Sequence, residues 1–125
     1  MTQSPSRILI AEDEEINVMI AQHILSKMGF ESVSVDNGES AVDMVKHETF
    51  QLILMDIEMP VMDGLEATPL IRQHPNGLNV PIIALTAHSL PEKLEQVKKV
   101  GMNDYLIKPF QEETFRPILE KYLTH

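Results

Sequence analysis

Asp56 closes the apolar run Leu52 to Met55 and is followed at once by a turn-like stretch, Glu58-Met59-Pro60-Val61-Met62-Asp63-Gly64. A carboxylate at the C-terminal lip of a buried strand faces the loop layer, where open α/β proteins bind ligands. Alone, such a residue reads as an ordinary acid capping a turn. Glu12 and Asp13 sit in the same kind of place, just past the apolar strand Arg7 to Ala11, while Thr86 and Lys108 follow two later apolar runs. Three carboxylates gathered at one edge repel one another unless a hard dication shares them, and all-oxygen ligation suits Mg²⁺ or Mn²⁺. A metal there keeps Asp56 ionised as a nucleophile. The Lys108 ammonium and the Thr86 hydroxyl then supply a charge and a donor on the far side for the oxygens of an incoming phosphoryl group.

Those residues meet only if the elements carrying them do. Short apolar runs recur at Ile8 to Ala11, Val33 to Val35, Leu52 to Met55, Val80 to Leu85 and Tyr105 to Ile107, with helix-period stretches between them. The alternation predicts an α/β fold of five parallel βα units, since parallel neighbours need crossovers. The first helix repeats Ile16, Ile20, Ile24 and Met28, with Gly29 at its C-terminal cap. Asp36 with Glu39 resembles a capping box for the second, whose inner face is Ala41, Met44 and Val45, and Ser89 with Glu92 does the same for the fourth. Leu94, Val97 and Val100 then face inward, and Gly101 ends that helix. The last helix spans about Glu112 to Leu123, with Phe115, Ile118, Leu119 and Tyr122 inward. The third has two candidate starts, Asp63 and Thr68-Pro69, and the proline predicts a kinked or late-starting helix. Pro117 predicts a shortened or bent last helix.

The 125 residues suit a single domain, 1–125, with 1–6 expected to be a flexible N-terminal segment. Ten basic against nineteen acidic residues leave a net charge of -9, which argues against nucleic-acid binding by phosphate neutralisation. Without cysteine there is neither a disulfide framework nor a thiolate metal site. No apolar run approaches a membrane span and the first residues lack a signal pattern, so a cytoplasmic location without membrane insertion is expected. His23, His47, His74 and His125 have no ligand spacing.

Four segments together carry a family resemblance: Ile10-Ala11-Glu12-Asp13, Met55 to Gly64, Ala84-Leu85-Thr86-Ala87, and Asp104-Tyr105-Leu106-Ile107-Lys108-Pro109-Phe110. In order and at these separations, the set resembles the receiver domain of two-component response regulators, of the single-domain or hybrid-kinase type, over nearly the whole chain. The resemblance implies a flavodoxin-like sheet ordered 2-1-3-4-5 flanked by five helices. It implies that Asp56 is the phosphoacceptor, receiving its group from a sensor histidine kinase or a histidine phosphotransfer protein. Mg²⁺ would be held by Asp13, Asp56 and the Glu58 backbone carbonyl, with Glu12 acting through water. Lys108, Thr86 and the Ala87 N–H would bind phosphoryl oxygens. Movement of Thr86 would be coupled to inward rotation of Tyr105 and to a changed face on the fourth helix, fifth strand and fifth helix, where homodimers are common in the family. The Lys108-Pro109 bond is similar to one usually cis in these proteins.

Glu58 and His88, two residues beyond Asp56 and Thr86, are expected to tune the lifetime of the phosphoryl group. Self-catalysed phosphorylation and slow dephosphorylation are implied, without turnover of an external substrate. A metal-dependent phosphohydrolase using an aspartyl phosphate is the alternative from the enzyme class, and an interaction-only pseudo-receiver is the alternative without chemistry. No output module fits in the chain, so output is expected from a downstream protein partner, from return of the phosphoryl group to a histidine relay, or from a larger protein.

Overall fold

A computed structural model describes residues 7–87 and 91–123. The strands are β1 (Arg7–Ala11), β2 (Glu31–Val35), β3 (Leu52–Asp56), β4 (Ile82–Thr86) and β5 (Asp104–Ile107). Between and after them run α1 (Glu15–Lys27), α2 (Gly38–His47), α3 (Gly64–Arg72), α4 (Pro91–Lys99) and α5 (Glu112–Leu123). All strand pairs are parallel, in the order β2-β1-β3-β4-β5.

The strand sequences are apolar at consecutive positions because both faces of the sheet are covered. Side chains alternate across a strand, so Leu9, Ala11, Ile53, Met55, Ile82 and Ala84 enter one core with Ala41, Val45, Ala67, Ile71 and Val97 from α2, α3 and α4. Ile8, Ile10, Leu52, Leu54, Ile83 and Leu85 enter the other, with Ala21, Ile24 and Leu25 of α1 and Phe115, Leu119 and Leu123 of α5. β3 is buried along its whole length.

Helix ends follow their cap chemistry. Gly29 and Gly101 have φ of 89° and 106°, the left-handed region that glycine enters without a Cβ penalty. Each closes its helix with a paired set of bonds, Gly29 N–H to Ser26 O with Phe30 N–H to Leu25 O, and Gly101 N–H to Lys98 O with Met102 N–H to Val97 O. At α2 the cap is Asn37, whose side chain accepts from the Ser40 N–H, in place of the expected Asp36 to Glu39 box. Ser89 and Leu90, the expected cap of α4, lie outside the described residues, as do residues 1–6.

Three helical expectations change. α3 begins early: Asp63 Oδ1 accepts from Glu66 N–H at 2.8 Å and Glu66 Oε1 accepts from Asp63 N–H at 3.1 Å, a reciprocal box that outweighs the proline-first start at Thr68. Pro69 then lies inside the helix on its exposed side, where water can reach the Leu65 carbonyl. α5 also runs unbroken from Glu112 to Leu123 through the exposed Pro117, so this proline does not shorten it. In α1 the inner face is Asn17, Ala21, Ile24 and Leu25, while Ile16 is 67% exposed. A four-residue repeat advances about 40° too far at each step on a 3.6-residue helix, so a stripe that is buried at Ile24 has rotated outward at Ile16.

Arg72, at the end of α3, went unnoticed in the sequence and joins the segments that precede β4 and β5. Its guanidinium donates to Gly77 O at 2.9 Å, Val80 O at 2.6 Å, Gly101 O at 2.8 Å and Asn103 Oδ1 at 2.8 Å. Asn103 Oδ1 also accepts from Ile82 N–H at 2.9 Å. Arg72→Met keeps the stem and strands these acceptors, so it should cost roughly 2–3 kcal/mol. Urea unfolding of the two chains at one pH measures it, and a loss below about 0.5 kcal/mol would contradict this role.

Candidate functional site

Strand register brings the chemistry together. Ala11 lies opposite Met55, so Glu12, the next residue, comes level with Asp56. Leu85 lies opposite Asp56 and Ile107 opposite Thr86, so Thr86 and Lys108 follow at the same edge. Because β3 lies between β1 and β4, Asp56 is flanked on both sides. Carboxylate oxygens of Glu12, Asp13 and Asp56 lie within 4.8 Å of one another.

Lys108 spans two of them. Its Nζ is 2.8 Å from Asp56 Oδ2 and 2.9 Å from Glu12 Oε1. Asp56 Oδ1 accepts from Glu58 N–H at 2.9 Å, and Glu12 Oε2 accepts from Glu14 N–H at 3.0 Å. Lys108 is itself placed by its N–H, which donates to Thr86 O at 2.8 Å, and the Lys108-Pro109 peptide is cis. The lysine therefore holds the carboxylates directly, a contact that reading it as a phosphoryl ligand on the far side did not foresee.

Glu12, Asp56 and Thr86 are buried, whereas Asp13 and Glu58 are exposed. Burial raises the Asp56 pKa to about 7, against the lowering effect of the Lys108 bond and the Glu58 N–H, with the like charge of Glu12 adding to the rise. Burial pulls Lys108 the other way, but its bonds to Asp56 and Glu12 together hold its pKa above the usual lysine value. Three acids against one ammonium leave the cluster short of positive charge. A proton on Asp56 offsets part of the deficit, and a hard dication meets it with the oxygen ligands it prefers, so the residues present fit Mg²⁺.

An open cleft of about 630 Å³ adjoins the acids, lined also by Glu15, Met19, Asp36 and Ser40. α1 presents Ile16 and Met19, 67% and 66% exposed, with Met19 lining the cleft, and the loop after β3 presents Val61, 77% exposed. The expected site residues Glu12, Asp13, Asp56, Thr86 and Lys108 thus share one edge, with Glu58 and Ala87 in the chain beside them. Tyr105 lies on the edge strand, 37% exposed and turned outward. His88 lies outside the described residues. Ile16 was missed because its apolar repeat reads as core, and the drift of the four-residue spacing was the available signal; Met19 lies off that repeat.

Residues 8–120 match the family model described as the response regulator receiver domain. The chain is 40% identical over 119 residues to the sensor protein GacS of Pseudomonas syringae pv. syringae, and 38% identical over 115 residues to the histidine-protein kinase BarA of Escherichia coli K12. Those matches cover 93% and 92% of this chain but only 13% and 12% of the relatives. Among solved structures, the receiver domain of the sensor histidine kinase PA1611 from Pseudomonas aeruginosa PAO1 is 38% identical with a TM-score of 0.89, covering 98% of this chain and 100% of that one. A magnesium ion is coordinated in the active-site cleft of that protein. The chemotaxis protein CheY4 of Vibrio cholerae is 30% identical with a TM-score of 0.89, covering 96% and 100%. With its five-stranded 2-1-3-4-5 sheet and its acidic cluster at the strand ends, the chain belongs to the response regulator receiver domains of two-component and phosphorelay signalling.

Proposed function

We propose that this chain is a phosphorylatable switch whose Asp56 takes a phosphoryl group from a phosphohistidine on a sensor kinase or phosphotransfer protein. The observation that carries the reading is the meeting of Glu12, Asp13 and Asp56 within 4.8 Å, with Lys108 Nζ 2.8 Å from the buried Asp56. Asp13, Asp56 and the Glu58 carbonyl would hold Mg²⁺ or Mn²⁺, and Glu12 would act through water. Bound there, the dication keeps Asp56 ionised and offsets charge on the transferring group.

Asp56 Oδ forms the new O–P bond as the N–P bond to the donor imidazole breaks, and the leaving ring nitrogen recovers a proton. Lys108 Nζ, already on the nucleophile, shifts its bond to a phosphoryl oxygen. The Thr86 hydroxyl and the Ala87 N–H close from the other side, and Tyr105 turns inward, passing the change to the face of α4, β5 and α5. Glu58 and His88, two residues beyond Asp56 and Thr86 in the chain, set the phosphoryl lifetime. Ile16 and Met19, exposed and apolar on the helix that follows the acidic pair, and Val61, exposed in the loop after Asp56, suit contact with a donor helix. The external substrate is the phosphodonor alone, which separates this reading from a phosphohydrolase.

Intact mass after incubation with acetyl phosphate tests the acceptor: the parent gains one phosphoryl group only with Mg²⁺, and Asp56→Asn gains none. Equal labelling of the two chains would overturn the assignment. Lys108→Ala should slow labelling about tenfold or more, since it removes the charge beside the nucleophile. Ile16→Asp should slow transfer from a phosphorylated histidine protein while leaving acetyl phosphate labelling unchanged; equal slowing from both donors would contradict the docking role.

The raised Asp56 pKa sets two pH dependences. The metal needs the ionised carboxylate, so Mg²⁺ affinity by calorimetry should fall about tenfold per unit below pH 7. For stability in the absence of metal the sign follows from a folded pKa of about 7 against the ordinary aspartate value of 3.8. The folded state holds the proton longer, so the stability it contributes below the lower value is lost as pH rises through the upper one. Lys108, raised in the fold, contributes throughout that window. Asp56→Asn cannot ionise, and its stability relative to the parent should increase from about pH 4 to about pH 8. Melting curves at the two ends check this, and a constant difference would contradict it.

A further inference from the structure

β2 lies at one end of the sheet and pairs only with β1. Its residues, Glu31-Ser32-Val33-Ser34-Val35, match Arg7 to Ala11 one for one, so no bulge interrupts the strand. Val35 C=O accepts from Glu12 N–H at 3.0 Å, which turns the main chain of Val35, and of Val33 by alternation, toward β1. The N–H and C=O groups of Ser32 and Ser34 therefore face the open side, where they have no bond among the described residues. Soluble proteins commonly blunt such an edge with lysine, proline or a bulge, and β2 carries none of these.

The open cleft of about 630 Å³ lies along this edge. Val18, Met19 and Gln22 line it from α1, and Ser34 and Val35 from β2, with Asp36 just beyond the strand. Four acids, Glu12, Asp13, Glu15 and Asp36, line it, and no lysine, arginine or histidine does. Lys108 holds Glu12, and Asp13 belongs to the proposed metal set. Glu15 and Asp36 belong to neither, are exposed, and have no ion pair among the described residues.

We propose that the β2 edge and this cleft form a docking groove for an extended, lysine- or arginine-bearing segment of a partner protein, which adds to the sheet as a further strand. Main-chain bonds to Ser32 and Ser34 align the segment, and its alternate side chains enter the cleft. A long basic side chain suits the lining at both ends: its stem lies along Val18 and Met19 while its head reaches Glu15 and Asp36. Charge selects this occupant. A second copy of this chain would set Glu15, Glu31 and Asp36 against their own counterparts, and a nucleic acid or an anionic membrane would meet the same acids. None of the anchoring residues is assigned to the metal or the phosphoryl group, so the groove stands apart from that reading.

Fluorescence anisotropy of a labelled peptide of alternating valine and lysine, titrated with the full chain in the presence of Mg²⁺, tests this. The parent should bind it and should not bind the matching peptide of valine and glutamate. Methylating every backbone nitrogen of the lysine peptide keeps its charge but removes its main-chain donors, and should weaken binding about tenfold or more. The double variant Glu15→Gln, Asp36→Asn should melt as the parent does and bind the unmethylated peptide about fivefold more weakly. A parent that binds neither peptide, or both equally, overturns the proposal. Equal binding of the methylated peptide also overturns it, leaving a charged surface without strand addition, and this arm holds whatever the variant does to folding. Unchanged affinity in the double variant overturns the role of the acids, and dimers of the chain in place of peptide binding would assign the edge to a second copy.

Discussion

Lys108 stands between two buried carboxylates, and the arrangement of this edge of the molecule follows from that contact. Burying Glu12 or Asp56 as a bare anion would be costly, so each needs a partner that the sheet delivers from elsewhere. The lysine reaches both at 2.8 and 2.9 Å, from the far end of the chain. One ammonium cannot balance both of them together with the exposed Asp13. Burial, with the like charge of Glu12 adding to it, raises the affinity of Asp56 for a proton, and the acids left unbalanced suit a dication. Stability and the proposed reactivity are therefore opposed at one side chain: burial disfavours the ionised form of Asp56, the form that the proposed phosphoryl transfer requires.

The opposite edge of the sheet is built differently. Arg72 there bonds carbonyl and amide oxygens rather than carboxylates. Tyr122 of α5 adds a bond from its hydroxyl to Asn103 O at 3.1 Å and to Asp104 Oδ2 at 3.0 Å. The segments entering β4 and β5 are thus tied to α3 and α5, while the ends leaving those strands carry Thr86 and Lys108. A sheet anchored at its entry edge can tolerate a demanding charge arrangement at its exit edge. The hydrophobic layers on both faces, continuous along β3, connect the two.

Both prolines within helices, Pro69 and Pro117, lie on exposed faces. There a missing N–H leaves a carbonyl to water, and neither helix is interrupted. Expectations drawn from proline alone weighed the lost bond without knowing which way that side of the helix faced. The Asp63 to Glu66 cap decided the start of α3, and it is written in the local sequence as plainly as the proline is.

Local chemistry determined much of this protein before any contact was known. The apolar runs specified five strands, and Gly29 and Gly101 specified helix ends. The residue types at Glu12, Asp13, Asp56, Thr86 and Lys108 specified an oxygen-rich site with one ammonium, suited to a hard dication. These are properties of short windows, where propensity and capping act within a few residues. Tertiary structure decided the rest. Strand order placed β3 between β1 and β4, and register made Glu12 level with Asp56. The outward turn of Ile16 and Met19 and the grip of Arg72 on segments distant in sequence both depend on elements far apart in the chain. Burial does as well, and it is burial that moves Asp56 from an ordinary carboxylate to one titrating near 7, because the cost of an anion depends on what surrounds it.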